Sequence, residues 1–321
     1  MQEKHQQLAS AKLAARFMSW LMAATVALTA CGAASQAPPV TSATQFPVTI
    51  TEAGGAKVTI AKMPHHIVSL SPTATEMLFA IDAGAQVVAV YDQSNYPAGA
   101  PMTKLSGFQP NTEAIASYNP DLVVASDDAG GLVHGMSALN IPTLVVPAAK
   151  NLTDTYAQIQ QLGAATGHVA EADSLVKKLR SEIAGLVASI PTPTRQLKVY
   201  HELDDTYYSA TSATFIGQVY TLLGLKNIAD GATAAAPDYP QLSAEYIVAS
   251  SPDLIVLADT KCCHQDLATV AARPGWSSIS AVKSKQVIEV DDDVASRWGP
   301  RVVDFLRAVT PHVRQLEGQP A

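Results

Sequence analysis

Five aromatic residues, Tyr96, Phe108, Tyr208, Tyr239 and Trp298, fall in loops between the helices and strands that the hydrophobic pattern predicts. Rings so placed sit where a binding scaffold exposes its working side chains. Together they offer flat apolar surface, which holds a large planar solute through buried area and ring contacts. Asp293 and Arg297 stand four residues apart; the guanidinium can pair with that carboxylate or meet an anionic group of a solute. The run His201-Glu202-Leu203-Asp204-Asp205 has the composition of a metal cluster. Alternate residues of a strand face opposite sides, so His201 and Glu202 do not share one ion. His134, His264 and the pair Cys262-Cys263 lack partners at ligand spacing, and no metal site is expected. There is no Gly-x-Ser-x-Gly elbow, Walker loop or His-Glu-x-x-His motif. With no activated nucleophile or metal-bound base in view, the chain is not read as an enzyme.

The elements that must position these residues come in two copies. The stretch EAIASYNPDLVVASD, from Glu113 to Asp127, returns as EYIVASSPDLIVLAD, from Glu245 to Asp259, with seven of fifteen positions identical. Each copy opens with a short helix, capped by Asn111 or Thr112 in one and Ser243 in the other, and halted before Pro120 or Pro252. An unbroken apolar run follows, Leu122 to Ala125 or Leu254 to Ala258, the pattern of a parallel strand buried on both faces. Upstream, Ile67 to Leu70 and Leu197 to Tyr200 read as strands. The helices after them start at Ser71-Pro72 and at Thr214, and close near Gly84 and at Gly224. The fold class is therefore α/β, two parallel-sheet Rossmann-like lobes, residues 49–150 and 195–317. Residues 151–194 connect them. There Tyr156, Ile159 and Leu162, then Leu175, Leu179, Ile183 and Leu186, recur at helical spacing, and Glu171 to Ser189 predicts one long stiff helix.

The N-terminus is a different kind of segment. Lys4, Lys12 and Arg16 precede an apolar run from Phe17 to Leu28, too short to span a bilayer, which needs about 20 residues. Residues 1–30 read as a signal peptide, and Cys31, directly after Leu28-Thr29-Ala30, as a lipobox cysteine whose acylated thiol anchors the chain. Residues 31–48 are small and polar and read as a flexible tether. Removing residues 1–30 takes the formal charge from −7 to −9, which argues against nucleic acid as a partner. In an oxidising compartment Cys262 and Cys263 are candidates for a strained vicinal disulfide or a dimer contact.

In this order, several segments resemble the cobalamin and ferric-siderophore class of ABC-transporter solute-binding proteins: IVSLSPTATEMLFAIDAG (67–84), SNYPAGA (94–100), EAIASYNPDLVV (113–124), TFIGQVYTLLGLKNIAD (214–230), YPQLSAEYIVASSPDLIVL (239–257), ARPGWSSISAVKSKQV (272–287) and SRWGPRVVDFL (296–306). The resemblance implies two lobes bridged by a long helix, solute in the cleft, and one docking glutamate per lobe, Glu113 and Glu245, for a permease dimer with its ATPase subunits. It also implies solute contacts at or near Tyr96, Phe108, Tyr208 and Tyr239, with Asp293 accepting hydrogen bonds from amide groups. Where cobalamin binders of the class carry tryptophans, this chain has Phe108, Ser126 and Tyr239. The implied cargo is cobalamin, with a ferric siderophore or haem as the alternative. No resident cofactor is expected. The expected molecule is a monomer outside the cytoplasm, held to the membrane by its lipid alone. A surface sensor or an enzyme on the same fold is the remaining alternative.

Overall fold

The computed structural model describes residues 45–232 and 238–318; the signal segment and Cys31 lie outside the described residues. A two-stranded antiparallel hairpin, β1 (Val48–Thr51) and β2 (Lys57–Ile60), leads the fold. Phe46 and Val48 already pack against the core, so the expected tether, residues 31–48, overlaps the folded region at its last residues. Their large apolar side chains have a hydrophobic surface to cover.

The first lobe contains β3 (Ile67–Ser69), α1 (Pro72–Ala80), β4 (Val87–Tyr91), β5 (Met102–Leu105), α2 (Thr112–Ala116), β6 (Leu122–Ala125), α3 (Leu132–Ala138) and β7 (Thr143–Val145). Its five strands are parallel, in the order β5-β4-β3-β6-β7. The connection is α4 (Leu152–Thr166) and α5 (Val169–Ala188), separated by Gly167 in the left-handed region at φ 85°. The second lobe follows with β8 (Lys198–Glu202), α6 (Phe215–Leu222), β9 (Lys226–Asn227), α7 (Ala244–Ser250), β10 (Leu254–Leu257), α8 (Leu267–Ala272), α9 (Ser280–Lys283), β11 (Val287–Glu289), α10 (Asp292–Ser296) and α11 (Val302–Glu317). Its sheet is parallel, in the order β11-β10-β8-β9.

The expected long helix is α5, whose 20 residues make about 30 Å at 1.5 Å per residue. Its buried stripe is Ala172, Val176, Leu179 and Ile183, with Leu175 and Leu186 at its margin. One core cluster runs without a break from the first sheet through α4, α5 and α11 into the second sheet. Separate clusters cover the far face of each sheet. Both sheets are thus buried on both sides, which is why their strands read as apolar runs rather than alternating ones. Among the described residues no helix is long and apolar enough to cross a membrane.

The repeated sequence is a repeated structure. Asn111 caps α2 by accepting from Ala114 N at 2.8 Å, and Ser243 caps α7 by accepting from Tyr246 N at 3.1 Å. Ile115 and Ile247 are fully buried beneath them. The turns out of the helices place Asn119 at φ 50° and Ser251 at φ 43°, immediately before the prolines. Asp121 then accepts from His65 N and His66 N, and Asp253 from Lys198 N and Arg195 Nη1, while each aspartate's own N–H donates back to the carbonyl of His66 or Lys198. Pro-Asp is therefore a two-way brace that sets the register of the central strand against its neighbour.

In each sheet the chain winds outward in one direction and then in the other, with the reversal between β3 and β6 and between β8 and β10. Crevices at the carboxyl ends of strands flanking such a reversal are where open α/β sheets bind ligands.

Candidate functional site: the cleft between two carboxyl ends

Loops at the carboxyl ends of the two sheets meet. Hydrogen bonds join the loop after β4 to α10, which follows β11. Asn95 Nδ2 donates to Asp293 Oδ2 at 2.8 Å, and Arg297 donates from Nη1 to Asn95 Oδ1 at 3.0 Å and from Nη2 to the Gln93 carbonyl at 2.9 Å. Behind this joint lies Glu76 of α1, 2% exposed. It accepts from Arg297 Nη1 at 2.8 Å and from Arg301 Nε and Nη2 at 2.9 and 2.6 Å. A buried carboxylate is tolerated when paired and saturated with donors, and Glu76 meets that condition with groups from the opposite lobe.

Of the two roles open to Arg297, pairing with Asp293 or meeting a solute anion, the geometry shows the pairing and takes Arg297 out of the solute contacts. Its guanidinium is buried and committed to Glu76, Asn95, Gln93 and Asp293 Oδ1, so it is a joint between lobes and not a cation open to solute. Trp298 differs from expectation too. It packs against the core and donates from Nε1 to Gln158 Oε1 at 3.0 Å, while its carbonyl accepts from Thr155 Oγ1. The indole N–H found its partner inside, which takes the ring out of the cleft.

The other four rings are exposed, and each lies on a loop at a carboxyl end. Tyr96 follows β4, with the Arg301 guanidinium 4.3 Å from its ring centre. Phe108 follows β5; it is 79% exposed and stands edge-to-face with Tyr91, with ring centres 6.0 Å apart. Tyr208 follows β8, in a turn built on Asp204, and pairs through its backbone with Gln241, which brings the segment of Tyr239 alongside. Burial and then the neighbouring Asp238 push the Tyr239 phenol up, so it stays a neutral hydrogen-bonding group.

The cations at the mouth are paired with acids of the protein. Lys261, after β10, reaches Asp291 at 2.6 Å and Asp293 at 3.2 Å. Burial raises the Asp293 carboxyl, but hydrogen bonding by Asn95 and the charges of Arg297 and Lys261 outweigh it and hold the group below the usual carboxylate range. Lys261, Arg297 and Arg301 thus face Asp291, Asp293 and Glu76, each cation with its acid. Asp293 is where expected at the cleft, but its oxygens already serve both lobes.

The strand reading of His201 and Glu202 holds. His201 packs between Tyr220 and Phe305, with Nδ1 2.6 Å from the Tyr220 hydroxyl, and burial lowers it to about 3. Glu202 points to the other face, against Arg273. Among the described residues no group of three or more His, Cys, Asp or Glu is placed to hold a metal ion. Cys262 and Cys263 are free thiols, so the vicinal disulfide is not formed.

Glu113 and Glu245 are exposed, and each is the second residue of its helix. The duplication therefore carries them to matching points on the two lobes.

Sequence reasoning missed Glu76, Asn95 and Arg301. The signal was a lone carboxylate inside the apolar helix Thr75-Glu76-Met77-Leu78-Phe79, since an unpaired acid is almost never fully buried. If Glu76 carries the joint, Glu76→Ala should cost about 3–5 kcal/mol in denaturant unfolding, the usual cost of leaving buried cations unpaired. A loss under about 1 kcal/mol, the range of a surface pair, would contradict this.

Residues 67–294 match the model of the periplasmic binding protein family. An ABC transporter substrate-binding lipoprotein of Bacillus subtilis, YvrC, is 32% identical over 81% of this chain and 83% of its own length. A cobalamin-binding protein of Halobacterium salinarum is 29% identical over 88% of this chain and 80% of its own. The crystal structure of the periplasmic vitamin B12-binding protein BtuF of Vibrio cholerae superposes with a TM-score of 0.67 at 23% identity, over 80% of this chain and 99% of that one, which speaks to the fold. With the family model spanning most of its length and both lobes, the chain belongs to the periplasmic binding protein family.

Proposed function

We propose that this protein captures a cobalamin-type corrinoid outside the cytoplasm and delivers it to the permease dimer of an ABC importer. The observation that carries the reading is the combination of exposed rings with cations that are already paired. Tyr96, Phe108, Tyr208 and Tyr239 supply apolar surface from four carboxyl-end loops, while the cations Lys261, Arg297 and Arg301 are neutralised by acids of the protein itself. A ferric siderophore with anionic oxygen donors calls for convergent unpaired cations. A corrinoid, bulky, ringed in amides and close to neutral overall, calls for rings and hydrogen-bonding groups. The names of the relatives in Bacillus subtilis and Halobacterium salinarum support the transporter class and the cargo. Acylation of Cys31 would hold the protein at the membrane surface, in keeping with the lipoprotein relative.

Calorimetry with cobalamin tests the cargo. Tyr239→Ala and Phe108→Ala should each weaken binding by about 1–3 kcal/mol, from lost area and ring contacts. Tight binding of haem or a ferric chelate, with no heat from cobalamin, would give the cleft to that alternative.

Delivery is assigned to Glu113 and Glu245. Two acidic points at matching places on duplicated lobes fit a symmetric dimer presenting one basic patch per subunit. An acid in the first turn also complements the helix dipole, an effect of about 0.3–1 kcal/mol on stability alone. Reversing both to lysine should leave cargo affinity intact and stop uptake. Normal uptake by the double variant would reduce the two glutamates to helix starts.

A further inference from the structure

The floor of the second lobe holds a polar group that the cleft chemistry does not use. Glu202 ends β8 and Asp259 follows β10, the adjacent strands that flank the reversal in winding, and both side chains are fully buried. Arg273 donates from Nη1 and Nη2 to the two oxygens of Glu202, 2.6 Å each. The same guanidinium donates to Gln265 Oε1 at 2.7 Å and lies 4.5 Å from the Trp276 ring and 5.2 Å from that of Tyr207. Three of its five N–H donors go to Glu202 and Gln265, and none is directed to Asp259. Asp259 has no such support: as an acceptor, neither of its oxygens has a donor. A buried carboxylate without donors is strongly disfavoured, whereas a protonated carboxyl becomes a donor itself. Asp259 lies within hydrogen-bonding reach of Glu202, so the proton has an acceptor waiting.

Above this pair sits the rim loop of residues 260–265. Cys263 N and Gln265 N donate to the Asp259 carbonyl at 3.1 and 3.4 Å, and Gln265 is tied to Arg273. Thr260 Oγ1, Lys261 N and Cys262 N donate to Asp292, and Lys261 Nζ holds Asp291 and Asp293. Asp259 is thus the root of the loop that steadies Asp293 in the cleft wall. We propose that Asp259 retains a proton, donates it to Glu202, and by doing so holds the rim loop in place, so that the cleft margin is controlled by proton concentration.

The charged and titratable groups around Asp259 leave one proton to account for. From β8 come Glu202 and Tyr200, from the turn after it Tyr207, from the end of α8 Arg273, and from the loop Cys262. Burial keeps the Tyr200 phenol well above its ordinary value, and burial with the adjacent Cys263 pushes the Cys262 thiol up to about 12, so neither ionises before Asp259. Burial, and then the Glu202 charge, push Asp259 up to about 8 against the pull of Arg273. A carboxyl raised in the folded state contributes stability that is fully present below its ordinary value of about 4, is lost progressively as pH rises from there, and is gone once pH has passed the folded value of about 8. Ionised Asp259 sets a second anion against Glu202 with Arg273 already committed.

Hydrogen exchange of the 261–265 amides in the full chain, corrected for intrinsic rates and with no solute added, tests this apart from the cargo assignment. Any effect on capture rests on the function proposed above. Protection should fall by up to about tenfold per pH unit through the neutral range, where opening releases the Asp259 proton, and level off once pH exceeds about 8. Asp259→Asn, whose amide donates to Glu202 at every pH, should abolish the dependence. No loss in the wild type, or an equal loss in the variant, would overturn the proposal. Should the variant fail to fold, the infrared spectrum of the wild type decides. The carbonyl stretch of a protonated, buried carboxylic acid must be present at neutral pH and vanish in alkali, and its absence would refute the assignment.

Discussion

Glu76 is the point on which the geometry of the cleft depends. It belongs to the first lobe by sequence and to the second by its partners, since both guanidiniums that saturate it come from the segment after β11. Arg297 carries that restraint to Asp293 and Asn95, and Arg301 carries it to the face of Tyr96. One buried carboxylate thereby positions an acid and a ring on opposite walls. Pairs of this kind are weak sources of net stability, because desolvation offsets most of the attraction. Their directional hydrogen bonds instead define one arrangement among many of similar burial. The backbone of α5 restrains the lobes on one side and the Glu76 joint restrains them on another, so hinge closure would have to break both.

The two lobes share a scaffold and differ in what they do with it. The cap, the buried isoleucine, the left-handed residue before proline and the braced aspartate recur at both Asp121 and Asp253. At the carboxyl ends the copies diverge. The first lobe offers Phe108 and Tyr96 above a floor of short hydroxyl side chains, Ser69, Thr75 and Ser94, that hydrogen-bond among themselves. The second offers Tyr208 and Tyr239 above a buried acid pair, Glu202 held by Arg273 and Asp259 without a donor. If Glu113 and Glu245 dock a permease as proposed, matching docking points with unlike walls suit a protein that presents an asymmetric solute to a symmetric partner.

Much of this was legible in the sequence because it is local. Capping residues, prolines and apolar runs specify helix starts and strands within a few positions, and β6 and α1 fall where Leu122 to Ala125 and Ser71-Pro72 indicate. Strand β8 ran two residues further than its apolar pattern, because His201 and Glu202 are buried polar groups with partners distant in sequence. The same reason hid the site's main joint: Glu76 is 221 positions from Arg297. Trp298 was misjudged because a loop position does not say which way a ring turns. The hydrogen bond to Gln158 of α4, 140 residues away, decides that.

A preformed cleft held by α5 and Glu76 is the central claim, and small-angle scattering of the soluble part, from about residue 45 onward, addresses it directly. Profiles recorded with and without saturating cobalamin should overlay, because hinge closure would require breaking both the helical connection and a buried ion-pair joint. A ligand-induced contraction of the kind produced by large domain closure would contradict it.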